Sequence, residues 1–516
     1  MQQESRVKKS LLNARVNFIF YFLTLVLSFF SRKIFLNSLG ADFVGLSGTL
    51  TNILGFLSLA EMGVGIAVSY HLYKPLQSGN KVEIEELVSV FGYLYHKIGF
   101  FIALGGVVIS AFIPLIFSKS GFDVSLIYFA FFAILTSSLL TYFINYRQII
   151  LNADQKGYVV TAYLQGASCV KLLFQMAVAY CWQNYYLWIT LEVIFGVMAC
   201  IILNWKITRT YPWLKVSVKK GRMFFPKYKS LVIYTKQIFI HKIKDFLLTQ
   251  SDQILIFAFV SLKMVAYYGN YTLITTKLVQ LFNTLMKSVW ASVGNLVAEG
   301  DKERIWKVFW EIQSVYYMIA GFVVFSVYHF IVPFIVLWLG DEYILDNTIL
   351  ILLMINIFIM LTRSAVDMFN NAYGHYADTW SAWAEGFTNL GITLLLAPFC
   401  GLVGILLGKI VSLLLFIVLW KPYYLFHYAF HKSINLYWRE NLKNLTVYLL
   451  AFIICHNIYL HIPFDASSDF MSWALKAIFT IVPFVIIYYL GMYLCCKGTK
   501  TLTYRLVCRI INKDKV

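Results

Sequence analysis

Ionisable side chains lie inside long apolar segments of this sequence, where a folded chain offers little water. Glu61, Lys171 and Lys287 fall about midway along such segments or lack an opposite charge nearby in the sequence. A charged group at that depth in a membrane is costly, so by default it marks a binding or transport site. Two chemistries fit these residue types. A cation can hold an anionic cargo group, and a carboxylate can take up and release an ion.

Small, amide and hydroxyl residues recur every three or four positions in the same segments, which places each set on one face of a helix. The segment around Glu61 shows this spacing at Asn52, Gly55, Ser58, Gly65 and Ser69. Gln280, Asn283 and Lys287 form a comparable stripe, and Asp252 ends another. Because hydrocarbon cannot solvate such groups, we expect the stripes to converge on one solvated central cavity.

A structural role fits many of the same residues. Asn, Gln, Ser and Thr side chains also join packed membrane helices through hydrogen bonds of about 0.6 to 2 kcal/mol. For any single Asn or Thr, the sequence favours neither role over the other. Arg363 and Asp367 are four residues apart, so we expect them to neutralise each other on one helix face.

The composition is that of an integral membrane protein. Of the 516 residues, 60% are hydrophobic and 13% are charged, whereas a soluble protein carries about 25% charged residues. The net charge of +18 comes mainly from a few loops and the C-terminal tail, which indicates orientation in a membrane and not nucleic-acid binding. The eight Cys and nine His show no metal-site or disulfide spacing, and no nucleotide-binding loop is present, so we expect no cofactor and no metal.

Apolar runs of roughly 20 residues predict about 14 transmembrane helices in an all-α polytopic fold. Lys and Arg cluster at the N-terminus, after the sixth, eighth and twelfth runs, and in the tail, which places both termini in the cytoplasm. The middle cluster divides the first twelve runs into two lobes of six. The predicted divisions are an N-lobe at 1–205, a basic cytoplasmic loop at 206–235, a C-lobe at 236–425, a C-terminal helix pair at 440–497 and a basic tail at 498–516.

The two predicted lobes share a faint internal repeat. SRKIFLNSLGADFVGL, which starts at Ser31, aligns without a gap with DQILIFAFVSLKMVAY, which starts at Asp252. In each stretch a short turn leads from one apolar helix into the next. Because each lobe has an even number of helices, the two lobes should have the same orientation, related by an axis along the membrane normal.

Several stretches together resemble a known family. LNSLGADFVGLSGTLTNILGFLSLAEMGVGIAVSYHLYKPL, from Leu36, looks like the opening helix pair of bacterial Wzx-type polysaccharide flippases, which belong to the multidrug/oligosaccharidyl-lipid/polysaccharide (MOP) exporter superfamily. Further stretches follow in family-like order: SDQILIFAFVSLKMVAYYGNYTLI, SVWASVGNLVAEG, PFIVLWLGDEY, EGFTNLGITLLLAP and GLVGILLGKI. The resemblance covers nearly the whole chain, and the chain is more distantly similar to lipid II flippases.

This resemblance implies a transporter and not an enzyme. Two six-helix lobes and a C-terminal helix pair would surround a central cavity that opens alternately to each side of the membrane. The implied cargo is an undecaprenyl-diphosphate-linked oligosaccharide repeat unit of an O-antigen or capsule pathway, moved from the cytoplasmic to the outer leaflet of the bacterial inner membrane. The resemblance also implies a monomer that contacts membrane lipids.

The implied cargo assigns roles to the polar residues. A diphosphate needs fixed cations, because two unit charges about 4 Å apart gain roughly 4 kcal/mol at an effective dielectric constant near 20. The predicted cavity lining combines cations with amides: Arg32, Lys171, Lys287, Arg363, Asn52, Gln280 and Asn283. We further predict that Glu61 or Asp252 couples transport to an H+ or Na+ gradient.

Three other functions remain as alternatives. A cation-coupled multidrug exporter of the MATE type would share the architecture, but it needs an anionic, aromatic-lined cavity, and Lys and Arg are at least as frequent as acids in these spans. A polysaccharide polymerase or membrane glycosyltransferase needs a large outside loop or a paired-carboxylate loop, and the predicted outside turns are too short for either. A structural scaffold is disfavoured by the many buried ionisable groups.

Overall fold

The computed structural model describes residues 6–58, 64–118, 120–228, 251–374 and 379–513. Within these ranges the protein is built from helices, and the chain divides into two compact units, Met1–Ala266 and Tyr267–Val516. The all-α polytopic fold predicted from the apolar runs is confirmed. The divisions predicted at residues 205, 235 and 425 stay predictions.

The N-terminal unit consists of long apolar helices joined by short turns. Helices α1 to α11 are Arg6–Leu39, Ala41–Leu57, Val64–Ser78, Lys81–Ser110, Ile113–Ile116, Val124–Phe143, Ile149–Ala153, Gly157–Trp182, Tyr185–Thr210, Val218–Phe224 and Ser251–Phe259. A 3-10 turn at Asn145–Gln148 leads into α7. Asn80, Asp123 and Asn184 cap α4, α6 and α9 by accepting a backbone N–H bond, which fixes where these helices begin.

The C-terminal unit continues from α12, which starts just before the division. Helices α12 to α20 are Leu262–Glu299, Lys302–Trp338, Asn347–Thr362, Ser364–Ala372, Thr379–Ser412, Lys421–Tyr424, Ile434–His461, Phe470–Cys495 and Lys497–Lys513. The core of this unit is rich in aromatic rings. Phe325 of α13 stacks on Phe484 of α19 with ring centroids 3.9 Å apart, which joins the C-terminal helix pair to the rest of the unit.

Nine helices among the described residues are long and apolar enough to cross a membrane. One of them is the continuous helical stretch Trp380–Phe430, which includes α16 and α17. It holds two of the predicted spans, because Gly401 has φ 55° and breaks the stretch. The other predicted spans correspond to α2 with α3, to α8, to α11 and to α12. The sequence also predicts a seventh span at about 238–260, and its first part, up to residue 250, is outside the described residues. Residues 59–63, which separate α2 from α3, are outside them too.

The turn of the predicted internal repeat has a structural counterpart. Helix α2 begins at Ala41 and α12 begins at Leu262, which are aligned positions of the gapless repeat. These two helix starts also touch, since a Cβ on Gly45 would lie 2.1 Å from the Leu262 carbonyl oxygen. Gly45 therefore permits a backbone contact that a larger residue would prevent.

The basic segment after α9 is folded against the N-terminal unit. Helix α10 packs along α4, where a Cβ on Gly221 would lie 2.0 Å from the Ser89 carbonyl oxygen. Beside this contact, Lys227 Nζ and the Tyr228 hydroxyl donate to Glu86 Oε2 at 2.5 and 2.7 Å. Burial, followed by the effect of the Glu86 carboxylate, raises the pKa of Tyr228 to about 12, so its phenol remains a hydrogen-bond donor.

Replacing Gly221 by Ala is expected to detach α10 from α4, because the added Cβ collides with backbone atoms. Overpacking of this kind costs about 1 to 3 kcal/mol, so trypsin should cut after Lys219 or Lys220 about tenfold faster. The measurement is limited proteolysis of the purified protein. Gly391→Ala is the matched control, since a Cβ there meets nothing within 4 Å. Equal cleavage of the two variants would show that this contact does not hold α10.

Candidate functional site

A pocket of about 510 Å³ lies within the N-terminal unit, between α3, α4 and the segment formed by the 3-10 turn and α7. Its lining combines tyrosine rings with amide and hydroxyl groups: Ser69, Tyr70, Tyr73, Tyr95, Gln148 and Asn152. Small-molecule sites typically have about 300 to 1,000 Å³ and join apolar walls to a few polar groups. This pocket has the size and the lining of a binding site.

Aromatic rings supply the apolar part of the lining. Phe91 and Tyr95 lie on successive turns of α4, with ring centroids 4.0 Å apart. Gly65 of α3 leaves room beside them, since a Cβ there would meet the Tyr95 hydroxyl oxygen at 3.5 Å. Tyr70 and Tyr73 of α3 are 65% and 54% exposed, so their rings are accessible to a ligand. A tyrosine offers an apolar ring face and a polar hydroxyl at the same time.

The polar part of the lining lacks internal partners. In the described chain the side chains of Ser69, Gln148 and Asn152 make no hydrogen bond, and Gln148 Oε1 is buried. A buried polar atom left without a partner costs about 1 to 3 kcal/mol. The pocket therefore favours water or a ligand that carries hydroxyl groups. Its described lining contains no acidic and no basic residue.

Two of the predicted cavity residues contact neighbouring helices, Arg32 the start of α12 and Asn52 the start of α11. Arg32 Nη2 donates to the Ala266 carbonyl oxygen at 3.1 Å. Asn52 Nδ2 donates to Gln253 Oε1 at 2.5 Å and to the Gly48 carbonyl oxygen at 3.0 Å. These are helix-packing contacts of the kind that the sequence also allowed. Their role in a cavity lining stays a prediction.

Lys171 has a carboxylate partner that the sequence analysis missed. Its Nζ lies 2.6 Å from Glu192 Oε1, and Gln175 Nε2 donates to Glu192 Oε2 at 3.3 Å. The apparent isolation of Lys171 is therefore wrong, because α9 packs beside α8 and brings in a residue 21 positions away. Glu192 is itself an ionisable residue inside an apolar run, and that signal could have identified it.

The predicted pairing of Arg363 with Asp367 is confirmed. Arg363 Nε lies 2.7 Å from Asp367 Oδ2.

Three further predicted lining residues lie on α12. Gln280 and Asn283 are exposed there, and the side chain of Lys287 on the same helix is outside the described residues. Contacts among the described residues do not gather the predicted cations into one cluster, so the cationic lining stays a prediction.

The two predicted coupling residues have different outcomes. Glu61 falls in residues 59–63 and is outside the described residues. Asp252 is in the first turn of α11, where it is 7% exposed and interacts with neighbouring groups. A carboxylate so buried suits either a structural pair or ion coupling, so the coupling role stays a prediction.

The pocket itself was predicted in part. Gly65 and Ser69 belong to the stripe of small and polar residues that the sequence placed on one face of the second span. Gln148 and Asn152 were missed. They are four residues apart near the end of the fourth apolar run, a spacing that puts both amides on one helix face.

Comparison with solved structures identifies membrane proteins with this fold. The chain is similar to the lipid II flippase MurJ in an inward closed conformation, with a TM-score of 0.66 and 13% identity over 93% of this chain and 99% of that chain. It is also similar to an inward-facing multidrug resistance MATE family transporter of the MOP superfamily, with a TM-score of 0.56 and 14% identity over 77% and 94% of the two chains. A MATE transporter from Vibrio cholerae, VcmN, gives a TM-score of 0.51 and 14% identity over 82% and 99%.

No protein-family model and no curated protein matches the chain. At identities of 13 to 14% the structural likeness shows that the chain shares the fold of these three proteins. The closer resemblance to Wzx-type flippases stays a prediction.

Proposed function

We propose that this protein is a flippase that moves undecaprenyl-diphosphate-linked oligosaccharide repeat units from the cytoplasmic to the outer leaflet of the bacterial inner membrane. Transport would follow alternating access, with both termini in the cytoplasm. The observation that carries the proposal is the pocket between α3, α4 and α7. Its unpartnered amides and accessible tyrosines suit a hydroxylated cargo.

The chemistry of a sugar chain matches this lining. Sugars combine hydroxyl groups with apolar C–H faces, so they need hydrogen-bonding atoms and flat apolar surfaces together. Gln148 and Asn152 offer donors and acceptors, and Tyr70 and Tyr73 offer rings. Each hydrogen bond formed on binding contributes about 0.5 to 1.5 kcal/mol. A volume of about 510 Å³ accommodates part of a repeat unit, so the remaining sugars and the lipid would lie outside this pocket.

The diphosphate of the proposed cargo needs cations elsewhere. Lys171 and Arg363 each have a carboxylate partner, so an incoming diphosphate would compete with Glu192 and Asp367. We propose that Arg32 and Lys287 complete the cationic lining.

We also propose that Glu61 or Asp252 couples the transport cycle to an H+ or Na+ gradient. One of these carboxylates would bind and release a proton or an ion as the protein changes state.

The shared fold keeps a multidrug exporter as the competing function, since two of the similar solved proteins are MATE transporters. An exporter of cationic drugs needs a carboxylate at its drug site. Because the described lining of the pocket has no acidic residue, this pocket favours a neutral hydroxylated ligand over an organic cation.

The test is translocation of a fluorescent polyprenyl-diphosphate oligosaccharide in proteoliposomes. Replacing Gln148 and Asn152 together by Leu should slow translocation about tenfold or more, because two hydrogen bonds of about 1 kcal/mol each are lost. The matched control is Asn457→Leu, which removes an amide of α18 that bonds only its own helix in the described structure. Unchanged translocation by the double variant would remove the pocket from the mechanism. Export of a cationic dye without lipid translocation would instead favour the multidrug exporter.

A further inference from the structure

A second pocket, of about 210 Å³, lies at one end of the C-terminal unit. It is formed by the N-terminal parts of α13 and α18, by Lys432 just before α18, and by the start of α20. Its lining includes Trp306, Trp310, Lys432, Arg439 and Lys497. All three helix starts belong to segments that the distribution of Lys and Arg predicts to be cytoplasmic. Their convergence in one pocket shows that these segments share one end of the unit.

The charge of this second pocket is mainly positive. Lys432, Arg439 and Lys497 are exposed at its rim, and the one carboxylate of the described lining is Glu440. Glu440 is already neutralised, since its Oε1 lies 3.3 Å from Arg439 Nε and 2.9 Å from Lys443 Nζ. Lys432 Nζ lies 4.7 Å from the centroid of the Trp306 ring, which holds this ammonium at the pocket. A net cationic site therefore remains for an anion.

Two buried polar side chains face the same pocket without a partner. Ser314 and Asn444 are each 2% exposed and line the pocket, and in the described chain neither side chain makes a hydrogen bond. Buried polar groups are nearly always hydrogen-bonded, so these two indicate a ligand or water in the pocket.

The start of α20 adds backbone donors to the site. Lys497 and Gly498 open this 17-residue helix, and their N–H groups have no acceptor within it. Gly498 lets the helix start approach α13, because a Cβ there would lie 2.1 Å from the Trp310 carbonyl oxygen and 2.4 Å from Ser314 Oγ. A helix start beside unpartnered hydroxyl and amide groups and two exposed lysines is suited to a phosphate group.

The exposed apolar side chains near this second pocket suit the acyl chains of a lipid. Leu442 of α18 and Leu494 of α19 are 64% and 66% exposed, so apolar side chains face outward one to two turns from the pocket. Trp306 and Trp310 lie at the level of the cations, as tryptophans do at a membrane–water interface. A free phosphate ion would use the polar pocket alone, whereas an anionic phospholipid would use the apolar flank as well.

We propose that this pocket binds the phosphate headgroup of an anionic bilayer phospholipid at the cytoplasmic surface. Lys432, Lys497 and the start of α20 hold the phosphate, Ser314 and Asn444 bond its oxygens, and the acyl chains lie along α18 and α19. A phospholipid bound in this pocket would hold α20 against α13 and α18. The site is separate from the proposed oligosaccharide pocket in the other unit, and it does not depend on the identity of the cargo.

The experiment is native mass spectrometry of the purified full-length protein with equimolar phosphatidylglycerol and phosphatidylcholine. The wild type should retain phosphatidylglycerol in clear preference. Lys432→Gln with Lys497→Gln should weaken this preference about 30-fold, because each interfacial cation contributes about fivefold. Both side chains are exposed, so the double variant should fold normally.

The matched control is Lys302→Gln with Lys307→Gln, which removes the same charge from exposed positions of α13 outside the pocket lining. This control should keep the preference. Equal retention by both double variants would overturn the proposal and leave general surface charge as the cause. Displacement of the lipid by millimolar inorganic phosphate would assign the pocket to a free anion. Displacement by an equimolar polyprenyl diphosphate would assign it to a cargo lipid.

Discussion

Replacing Lys171 by Leu is expected to destabilise the N-terminal unit by about 3 kcal/mol, because it leaves the Glu192 carboxylate without its cation inside a membrane span. The partly buried pair has side chains that are 16% and 27% exposed, and Gln175 can supply only one hydrogen bond to the remaining charge. The measurement is thermal unfolding of the purified protein in detergent, where the midpoint should fall by several degrees.

The double replacement Lys171→Leu with Glu192→Leu is the decisive control. Removing both charges of a buried pair is often neutral or stabilising, so its unfolding midpoint should return to about that of the wild type. If the single variant unfolds like the wild type, the ion pair does not stabilise the helix packing.

The double variant also tests the predicted role of Lys171 in the cavity lining. A stable double variant that no longer translocates lipid would give the Lys171–Glu192 pair a role in transport, and one with normal translocation would make the pair purely structural.

The sequence predicted those parts of the fold that depend on local composition. Hydropathy located the helices because a bilayer requires about 20 apolar residues per span. Gly401 separates two apolar runs, because glycine readily adopts the positive φ of 55° that the break requires. The gapless repeat predicted a short turn in each half, and α12 begins at Leu262, the position aligned with the start of α2.

Contacts between distant helices could not be predicted in the same way. Hydropathy says nothing about which helix packs beside α8, so Glu192 was not connected with Lys171 until the packing was known. The docking of α10 likewise depends on Gly221 meeting the backbone of Ser89, a contact that no local pattern of Lys and Arg reveals. The stripe on the second span did identify Gly65 and Ser69, because a helix face is a local property.

Replacing Arg505 by Ala is expected to cost about 3 kcal/mol, because it removes the cation next to a buried carboxylate. Glu311 of α13 is 1% exposed, and its Oε2 lies 2.6 Å from Arg505 Nη2 of α20. Arg505 is 42% exposed and its charge is partly screened, but Glu311 has no access to water that could replace it. We expect α20 to separate from α13, which thermal unfolding and protease cleavage within residues 497–513 would both detect.

Two further variants separate the buried charge from ordinary surface effects. Arg304→Ala breaks the ion pair with Glu299, whose partners are 61% and 56% exposed, so it should change stability by less than about 1 kcal/mol. Glu311→Gln combined with Arg505→Ala should recover most of the stability, because burying a neutral amide costs less free energy than burying a carboxylate. If Arg505→Ala is as mild as Arg304→Ala, the ion pair with Glu311 does not hold α20 against α13. In that case α20 is held mainly by the close contact of Gly498 with the backbone of α13.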